Sequence, residues 1–82
     1  MKEYNLTFTE VMDNIFKDKS WYQGENFANG YFIQSDDKIV HLRYFSDNTY
    51  GIQEAGPVML SEGLLKQKFR KVLTQPDVMR KV

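Results

Sequence analysis

The sequence predicts an α+β fold in which one N-terminal helix packs on a small twisted antiparallel sheet of four to five strands. Two patterns support this fold class. Apolar residues recur every three or four positions over residues 8–16, which is the period of one helix face. From residue 21 onward, short aromatic and β-branched segments alternate with polar turns, which is typical of strands. We expect a single domain, 1–82, because 82 residues lie within the usual size of one domain.

The N-terminal helix is predicted over residues 8–18. Thr7 and Glu10 have the spacing of a capping box, and Leu6 and Val11 have that of a hydrophobic staple around it. The apolar stripe of the helix consists of Phe8, Val11, Met12, Ile15 and Phe16. We expect these side chains to be buried against one face of the sheet.

Three strands are predicted to form an antiparallel meander. They comprise residues 30–34, 39–45 and 49–53, and polar segments of hairpin length separate them. A shorter strand at 21–23 is expected to pair at one edge of this meander. The glycine and proline of residues 54–57 are expected to break the sheet pattern.

The C-terminal third is predicted to hold a helical turn and a last strand. Ser61 has the character of an N-cap for one turn that runs to Lys66. Residues 68–74 are interpreted as a strand, with a helix as the open alternative because the apolar residues do not alternate cleanly. Pro76 is expected to end this element, and residues 78–82 to form a helical turn or a frayed tail.

The composition excludes several chemistries. The chain contains no cysteine and one histidine, His41. Disulfides, thiolate zinc sites and a catalytic thiol are therefore absent, and a general base or a metal site would depend on a single imidazole. No glycine-rich phosphate loop or nucleophile elbow occurs. We expect no enzymatic activity, no catalytic residues, no metal and no cofactor.

The charge balance argues against a nucleic-acid coat protein and against an acidic protein that mimics DNA. Residues 1–41 hold four bases and seven acids, and residues 42–82 hold seven bases and four acids, so the net charge is zero. A neutral chain is atypical of nucleic-acid coat proteins, and binding of nucleic acid through the basic run 66–71 is the least favoured alternative. No apolar run reaches the length of a membrane span and no signal-peptide pattern is present, so we expect a cytoplasmic protein without membrane contact.

The chain carries twelve aromatic residues: six Phe, five Tyr and one Trp. Two consecutive aromatic pairs lie in predicted strands, and each must place one ring on each face of the sheet. A single helix covers only one face, so rings on the other face would need a second copy of the chain or a flat ligand. The predicted interface residues are Tyr31, Phe32, Tyr44, Arg70 and Lys71.

Cationic and aromatic side chains together suggest a ligand site. His41 and Arg43 alternate with apolar residues on one strand, so both share one face with Phe45. An arginine fork suits phosphate or carboxylate groups, and Trp21 and Tyr22 offer rings for stacking. These five residues are the predicted ligand-binding set, although local packing is the alternative role for each.

Three segments resemble a family of small phage proteins. Phe8-Thr9-Glu10-Val11 matches the family's helix start, Gly30-Tyr31-Phe32-Ile33 matches its aromatic strand, and residues 64–72 are similar to its closing strand. Phe27 and Phe69 stand where the family pattern has tryptophan. The family includes Thoeris anti-defence proteins, which sequester cyclic ADP-ribose-type signals at subunit interfaces of a homo-oligomer.

The resemblance implies a specific function, which composition and residue pattern alone do not indicate. It implies a non-enzymatic anti-defence protein of a phage that acts in the host cytoplasm. Such a protein would form a homodimer or larger oligomer and bind a nucleotide-like signal at the interface between copies. The alternative is an inhibitor that binds a host defence enzyme, such as a CRISPR effector.

Overall fold

A computed structural model of the chain describes residues 4–36, 38–45 and 51–79. Within these residues the helices are α1 (Phe8–Asp18), α2 (Glu62–Lys66) and α3 (Gln75–Met79). The strands are β1 (Trp21–Gly24), β2 (Tyr31–Ser35), β3 (Val40–Phe45), β4 (Ile52–Pro57) and β5 (Phe69–Val72). Neighbouring strands pair antiparallel in one sheet of order β4-β3-β2-β1-β5. The predicted α+β fold, with an N-terminal helix and an antiparallel sheet, is confirmed.

The capping box at the start of α1 forms as predicted. The backbone N–H of Thr7 donates to Oε1 of Glu10 at 2.8 Å, and the backbone N–H of Glu10 donates to Oγ1 of Thr7 at 3.2 Å. After Asp18 the helix ends at Lys19, which adopts the left-handed conformation with a φ of 55°. Local contacts therefore mark both the start and the end of α1.

One residue of the predicted apolar stripe is exposed. Val11 and Ile15 are fully buried, whereas Phe16 keeps 42% of its surface exposed. Successive helix residues are about 100° apart around the axis, so Phe16 lies on the flank of the helix when Ile15 points at the sheet. The prediction that Phe16 is buried is wrong.

β1 pairs with β2 at one edge of the predicted meander, as expected, and β5 pairs with its other side, so β1 lies inside the five-stranded sheet. In the pairing with β5, Trp21 lies opposite Val72 and Gly24 lies opposite Phe69. The C-terminal strand returns alongside β1, so β4 and β5 are the outer strands. Leu6 exchanges two backbone hydrogen bonds with Phe69, at 2.9 and 2.7 Å, and so covers part of the outer side of β5.

β4 continues through residues 54–57, so the prediction that these residues break the sheet is wrong. An outer strand tolerates Pro57 because a missing N–H on its free side leaves no ladder partner unpaired. Gly56 takes a φ of 116°, which a side chain would resist. The predicted turn at 46–48 and the first residues of the predicted strand 49–53 lie outside the described residues.

A bulge in β4 lies opposite the middle of β3. Glu54 pairs with Arg43 and Gly56 pairs with Leu42, so Ala55 is one extra residue between two paired positions. We call this feature the β4 bulge. It redirects the chain at the point where β4 approaches α2.

The C-terminal elements agree with the sequence in part. Residues 69–72 form a strand, which decides between the two alternatives for segment 68–74. Oγ of Ser61 accepts a hydrogen bond from the N–H of Leu64 at 3.1 Å, so α2 begins as predicted. α3 starts at Gln75, before the tail expected from residue 78. None of the helices in the described ranges is long and apolar enough to span a membrane.

Each face of the sheet has its own hydrophobic core. On the face toward α1, called the helix face, the buried side chains are Val11, Ile15, Tyr22, Ile33, Leu64 and Phe69. On the other side, called the opposite face, they are Phe32, Phe45, Val72 and Val78, with Trp21 and Met79 packed against them. The second core uses the short helix α3 as its cover.

The rings of the opposite face cover one another. The ring of Trp21 lies 4.6 Å from that of Phe32 and 5.5 Å from that of Phe45, and Val78 of α3 completes the cluster. Phe32 is 0% exposed and Phe45 is 8% exposed. The expectation that rings on this face need a second copy or a ligand is wrong for Phe32 and Phe45, because α3 supplies cover that the sequence pattern did not reveal.

Candidate functional site

The predicted ligand residues His41 and Arg43 lie side by side on the opposite face of β3. Nδ1 of His41 is 2.8 Å from Oε2 of Glu54 on β4, and Nε2 is 2.7 Å from Oδ2 of Asp36 in the turn after β2. Nε of Arg43 donates to Oε1 of Glu54, and Nη1 donates to Oε1 of Gln34, each at 2.9 Å. We call these five residues the polar cluster.

The charged groups of the polar cluster satisfy one another. Hydrogen bonds to Asp36 and then Glu54 raise the pKa of His41 above its ordinary value of 6.5. Two backbone N–H groups of the turn, followed by His41, lower the pKa of the Asp36 carboxyl. Hydrogen bonds from Arg43 and then His41 lower the pKa of the Glu54 carboxyl. With His41 charged, two cations and two carboxylates balance, so the cluster has little charge with which to attract an anion.

The polar cluster connects three neighbouring strands of the sheet. By composition it contains no hydroxyl, thiol or amine nucleophile for the imidazole to activate. Among residues 4–36, 38–45 and 51–79, no group of three or more His, Asp or Glu side chains is arranged to hold a metal ion. The side chains tie β2, β3, β4 and the β2–β3 turn together.

The predicted ring residues lie in or against the two hydrophobic cores of the sheet. Trp21 and Tyr22 are consecutive on β1 and therefore point to different faces of the sheet. Tyr22 is 3% exposed, and its hydroxyl donates to Oδ2 of Asp18 at 2.8 Å; burial, followed by this bond, raises the pKa of Tyr22 to about 12. Phe45 belongs to the opposite-face core. Tyr22 and Phe45 are thus corrected from ligand contacts to core residues, and the predicted set does not converge on one site.

The predicted interface residues divide between the surface and the core. Tyr31 and Tyr44 are cross-strand partners on β2 and β3, half-buried, with rings stacked at 4.9 Å. Lys71 is exposed, and Nζ lies 3.2 Å from a carboxylate of α1. Phe32 and Arg70 are 0% and 4% exposed, so they are corrected from interface to core residues, because α3 packs over both.

The basic run 66–71 does not form one continuous surface. Arg70 turns into the core, Lys66 pairs with a glutamate of its own helix, and Lys71 pairs with Asp18. Alternate residues of β5 point to different faces. The run therefore does not present the uninterrupted cationic strip on which nucleic-acid binding would rely.

A groove of 430 Å³ lies on the helix face, between the β4 bulge and α2. Its lining residues are Asn26, Phe27, Ile33, Leu42, Ala55, Pro57, Val58, Met59, Ser61, Gly63, Leu64 and Gln67. Ile33 and Leu64 are buried, at 0% and 7% exposure, and form the floor. We call this feature the β4–α2 groove.

A few polar groups stand around the apolar floor of the β4–α2 groove. Oε1 of Gln67 accepts from the backbone N–H of Asn26 at 3.0 Å, and Nε2 donates to the carbonyl of Gly63 at 3.2 Å. These bonds hold the β1–β2 loop against α2. Oγ of Ser61 accepts from the N–H of Leu64, which leaves its own hydrogen for an acceptor. Asn26 lines the groove and is exposed, so it lies at the rim.

The β4–α2 groove has the general form of a small-molecule site. Ligand pockets usually measure about 300–1,000 Å³ and combine an apolar lining with a few placed polar groups. The polar cluster, by contrast, offers charges that are already paired. The groove is therefore the candidate functional site of the described residues.

Sequence reasoning missed the β4–α2 groove because its lining comes from four separate segments. One local signal was available. Val58, Met59 and Leu60 form an apolar run between a proline and the N-cap Ser61, where a solvated loop would be polar. Met59 and Leu60 are 80% and 71% exposed, so this run lies at the surface beside the groove.

Comparisons with protein-family models, with curated proteins and with solved structures return no significant match. The resemblance to the phage family stays a prediction from the sequence motifs.

Proposed function

We propose that the chain is a non-enzymatic phage-type anti-defence protein that sequesters a nucleotide-like signal molecule in the β4–α2 groove. The observation that carries the proposal is the groove itself, a concave apolar site of 430 Å³ with a polar rim. The motif resemblance of residues 8–11, 30–33 and 64–72 supports the class of ligand. In this proposal the protein acts by lowering the free concentration of the signal in the host cytoplasm.

The groove residues match the chemistry of a nucleobase. The faces of a base are flat and apolar, and they would lie against Leu42, Leu64 and the ring of Phe27. The edge of a base presents donors and acceptors, which the Asn26 amide and the Ser61 hydroxyl can meet.

A cation for a phosphate follows the groove residue Gln67 in the sequence. Lys68 is exposed, whereas Lys66 is already paired with Glu62. A phosphate at the mouth of the groove would therefore find positive charge within reach of a flexible side chain.

Self-association fits the same site. Met59 and Leu60 stand beside the groove mouth with most of their surface exposed, and a second copy placed over them would bury apolar surface. The copy would also close the open side of the groove over the ligand. This arrangement places capture at an interface between copies, as the resemblance implies.

The proposal is tested by thermal unfolding with a panel of nucleotides. A ligand of the folded state stabilises it by about 2.7 kcal/mol at a concentration one hundred times its Kd, so the melting temperature should rise with the true ligand. Asn26→Ala removes the rim amide but keeps the backbone bond to Gln67, and it should reduce the shift. Asn29→Ala, an exposed residue of the same loop, is the matched control. The proposal fails if no nucleotide shifts the transition, or if both variants respond as the parent does.

An inhibitor that binds a host enzyme is the second candidate. The adjacent exposed side chains of Met59 and Leu60 favour it, because contiguous exposed apolar surface marks protein interaction sites. It predicts that a host enzyme co-purifies and that a Met59→Ser, Leu60→Ser double variant loses this partner. Leu73→Ser is the control, since Leu73 is 66% exposed but follows β5. Co-purification without any nucleotide-dependent melting shift would favour this candidate over the first.

A further inference from the structure

The side chain of Glu54 spans the β4 bulge. Its Oε1 accepts from Nε of Arg43 at 2.9 Å, and its Oε2 lies 2.8 Å from Nδ1 of His41. The same Oε2 accepts from the backbone N–H of Gly56 at 3.2 Å. The carboxylate of Glu54 thus reaches past the extra residue, Ala55, to the backbone of Gly56, and Ala55 lines the groove.

The geometry around His41 requires a charged imidazole. Both ring nitrogens lie within 2.8 Å of carboxylate oxygens, and carboxylates only accept hydrogen bonds. Only imidazolium carries an N–H on both nitrogens. A neutral ring would direct a lone pair at either Asp36 or Glu54.

We propose that protonated His41 is a pH-sensitive clasp that fixes the β4 bulge, and that the β4–α2 groove binds its ligand more tightly when His41 is charged. The claim about ligand affinity rests on the proposed function of the groove; we call it the binding half. The claim that His41 fixes the bulge rests on the geometry of the bulge alone; we call it the structural half.

Glu54 is the carboxylate that moves when His41 loses its proton. Oδ1 of Asp36 is held by the backbone N–H groups of Lys38 and Ile39, at 2.8 and 2.9 Å, so Asp36 keeps its place and retains the one remaining imidazole N–H. Oε2 of Glu54 then faces the lone pair of Nδ1 of His41, which repels it, and Oε2 turns away from the bulge.

The other charges around His41 limit the size of this change. Arg43 is the second cation and keeps its bond to Oε1 of Glu54, so β4 stays attached to β3. Asp36 and Glu54 are the two acids that face the ring among the described residues. Loss of the proton releases the N–H of Gly56, and with it the fixed position of Ala55 in the groove wall.

The structural half is tested by NMR titration of the full chain. His41 is the only histidine, so its ring signals need no assignment. We expect the amide signals of Ala55 and Gly56 to change with the same midpoint as the ring. In Asp36→Asn the midpoint should fall while both amides still follow it. Amides that do not follow the ring would overturn the clasp and leave the proposed function standing.

The binding half uses cyclic AMP and ADP-ribose as probes at about pH 5.5 and about pH 9, on either side of an ordinary histidine pKa. For the parent we expect a Kd up to about tenfold weaker at the higher pH, the change that accompanies a one-unit shift of the His41 pKa on binding. His41→Gln, which does not titrate, should lose this dependence. A parent Kd equal at both values overturns the inference. If the amides follow the ring but neither probe binds at either pH, the clasp is supported and the proposed function is contradicted for these nucleotides.

Discussion

Arg70 donates to Oε1 of Gln23 through both Nε and Nη2, at 3.1 and 2.7 Å, and both side chains are buried. Nη2 also donates to the carbonyl of Asp77 at 2.9 Å, and Nε2 of Gln23 donates to the carbonyl of Val78 at 3.0 Å. The guanidinium lies 5.0 Å from the ring centre of Tyr4. The pair therefore attaches α3 to β1 and β5, and α3 in turn covers the opposite-face core.

Removal of Arg70 should detach α3. Arg70→Ala leaves the buried amide oxygen of Gln23 and the carbonyl of Asp77 without this donor, so we expect the free energy of unfolding to fall by about 2–4 kcal/mol. Urea unfolding measures the change. Lys68→Ala, which removes the same charge from an exposed position, should change stability by less than about 0.5 kcal/mol. Similar losses in both variants would mean that net charge, and not the buried bonds, is responsible.

Gly24 leaves room for the residues that shape the groove. A Cβ at position 24 would lie 2.8 Å from Cε1 of Phe27 and closer still to Oε1 of Gln67. We expect Gly24→Ala to lower the free energy of unfolding by about 1–3 kcal/mol through overpacking. Gly63→Ala meets no atom within 4 Å and should stabilise α2 by up to about 1 kcal/mol. Chemical denaturation of the two variants gives the comparison, and a stable Gly24→Ala protein would contradict the packing described for this loop.

The capping box of α1 should make a measurable contribution. Thr7→Ala removes the oxygen that accepts from the N–H of Glu10, and we expect a loss of about 1 kcal/mol. Thr9→Ala lies in the same first turn but is exposed, and alanine is a better helix former there. Its stability should equal or exceed that of the parent. A loss of the same size in both variants would show that the cap geometry is not the cause.

The polar cluster should give stability a maximum on the pH scale. The pKa of His41 is raised above 6.5, so its contribution is complete below pH 6.5 and is lost as pH rises through the raised value. The pKa of the Glu54 carboxyl is lowered from 4.5, as that of Asp36 is from 3.8, so their contribution is complete above pH 4.5 and is lost as pH falls through the lowered values. We expect the cluster's contribution to be greatest between these limits.

Urea unfolding at a series of pH values, on the parent and on His41→Gln, isolates this contribution. The difference between the two proteins should be largest between pH 4.5 and 6.5 and should shrink on the alkaline side as His41 loses its proton. A difference that grows with rising pH has the opposite sign and would contradict the charged imidazole.

Elements that depend on residues close together in the sequence could be predicted, and elements that depend on contacts between distant segments could not. The capping box, with Thr7 and Glu10 three residues apart, marked the start of α1, and the helical spacing of its apolar residues indicated its length. β4 depends on a bulge and on its position at the edge of the sheet, which the glycine and proline of residues 54–57 obscure. The cover over Phe32 comes from α3, a short helix that begins before the region 78–82 for which the sequence predicted a helical turn or a frayed tail.

The candidate site shows the same division. Strand alternation correctly placed His41 and Arg43 on one face, yet it carried no information on Glu54, which comes from the next strand and pairs with both. The β4–α2 groove combines the β1–β2 loop, β2, β3, β4 and α2, so no single window of sequence contains it. The periodicity of a sequence does not reveal which residues of separate elements become neighbours in the folded chain.

Ligand capture in the β4–α2 groove is tested most directly by NMR mapping with the nucleotide that raises the melting temperature most. We predict that the largest chemical-shift changes fall on the amides of Asn26, Ala55 and Leu64 and on the methyl groups of Ala55 and Leu64. Changes centred on His41 and Arg43 would move the site to the polar cluster, and a spectrum unchanged by every nucleotide of the panel would contradict ligand capture altogether.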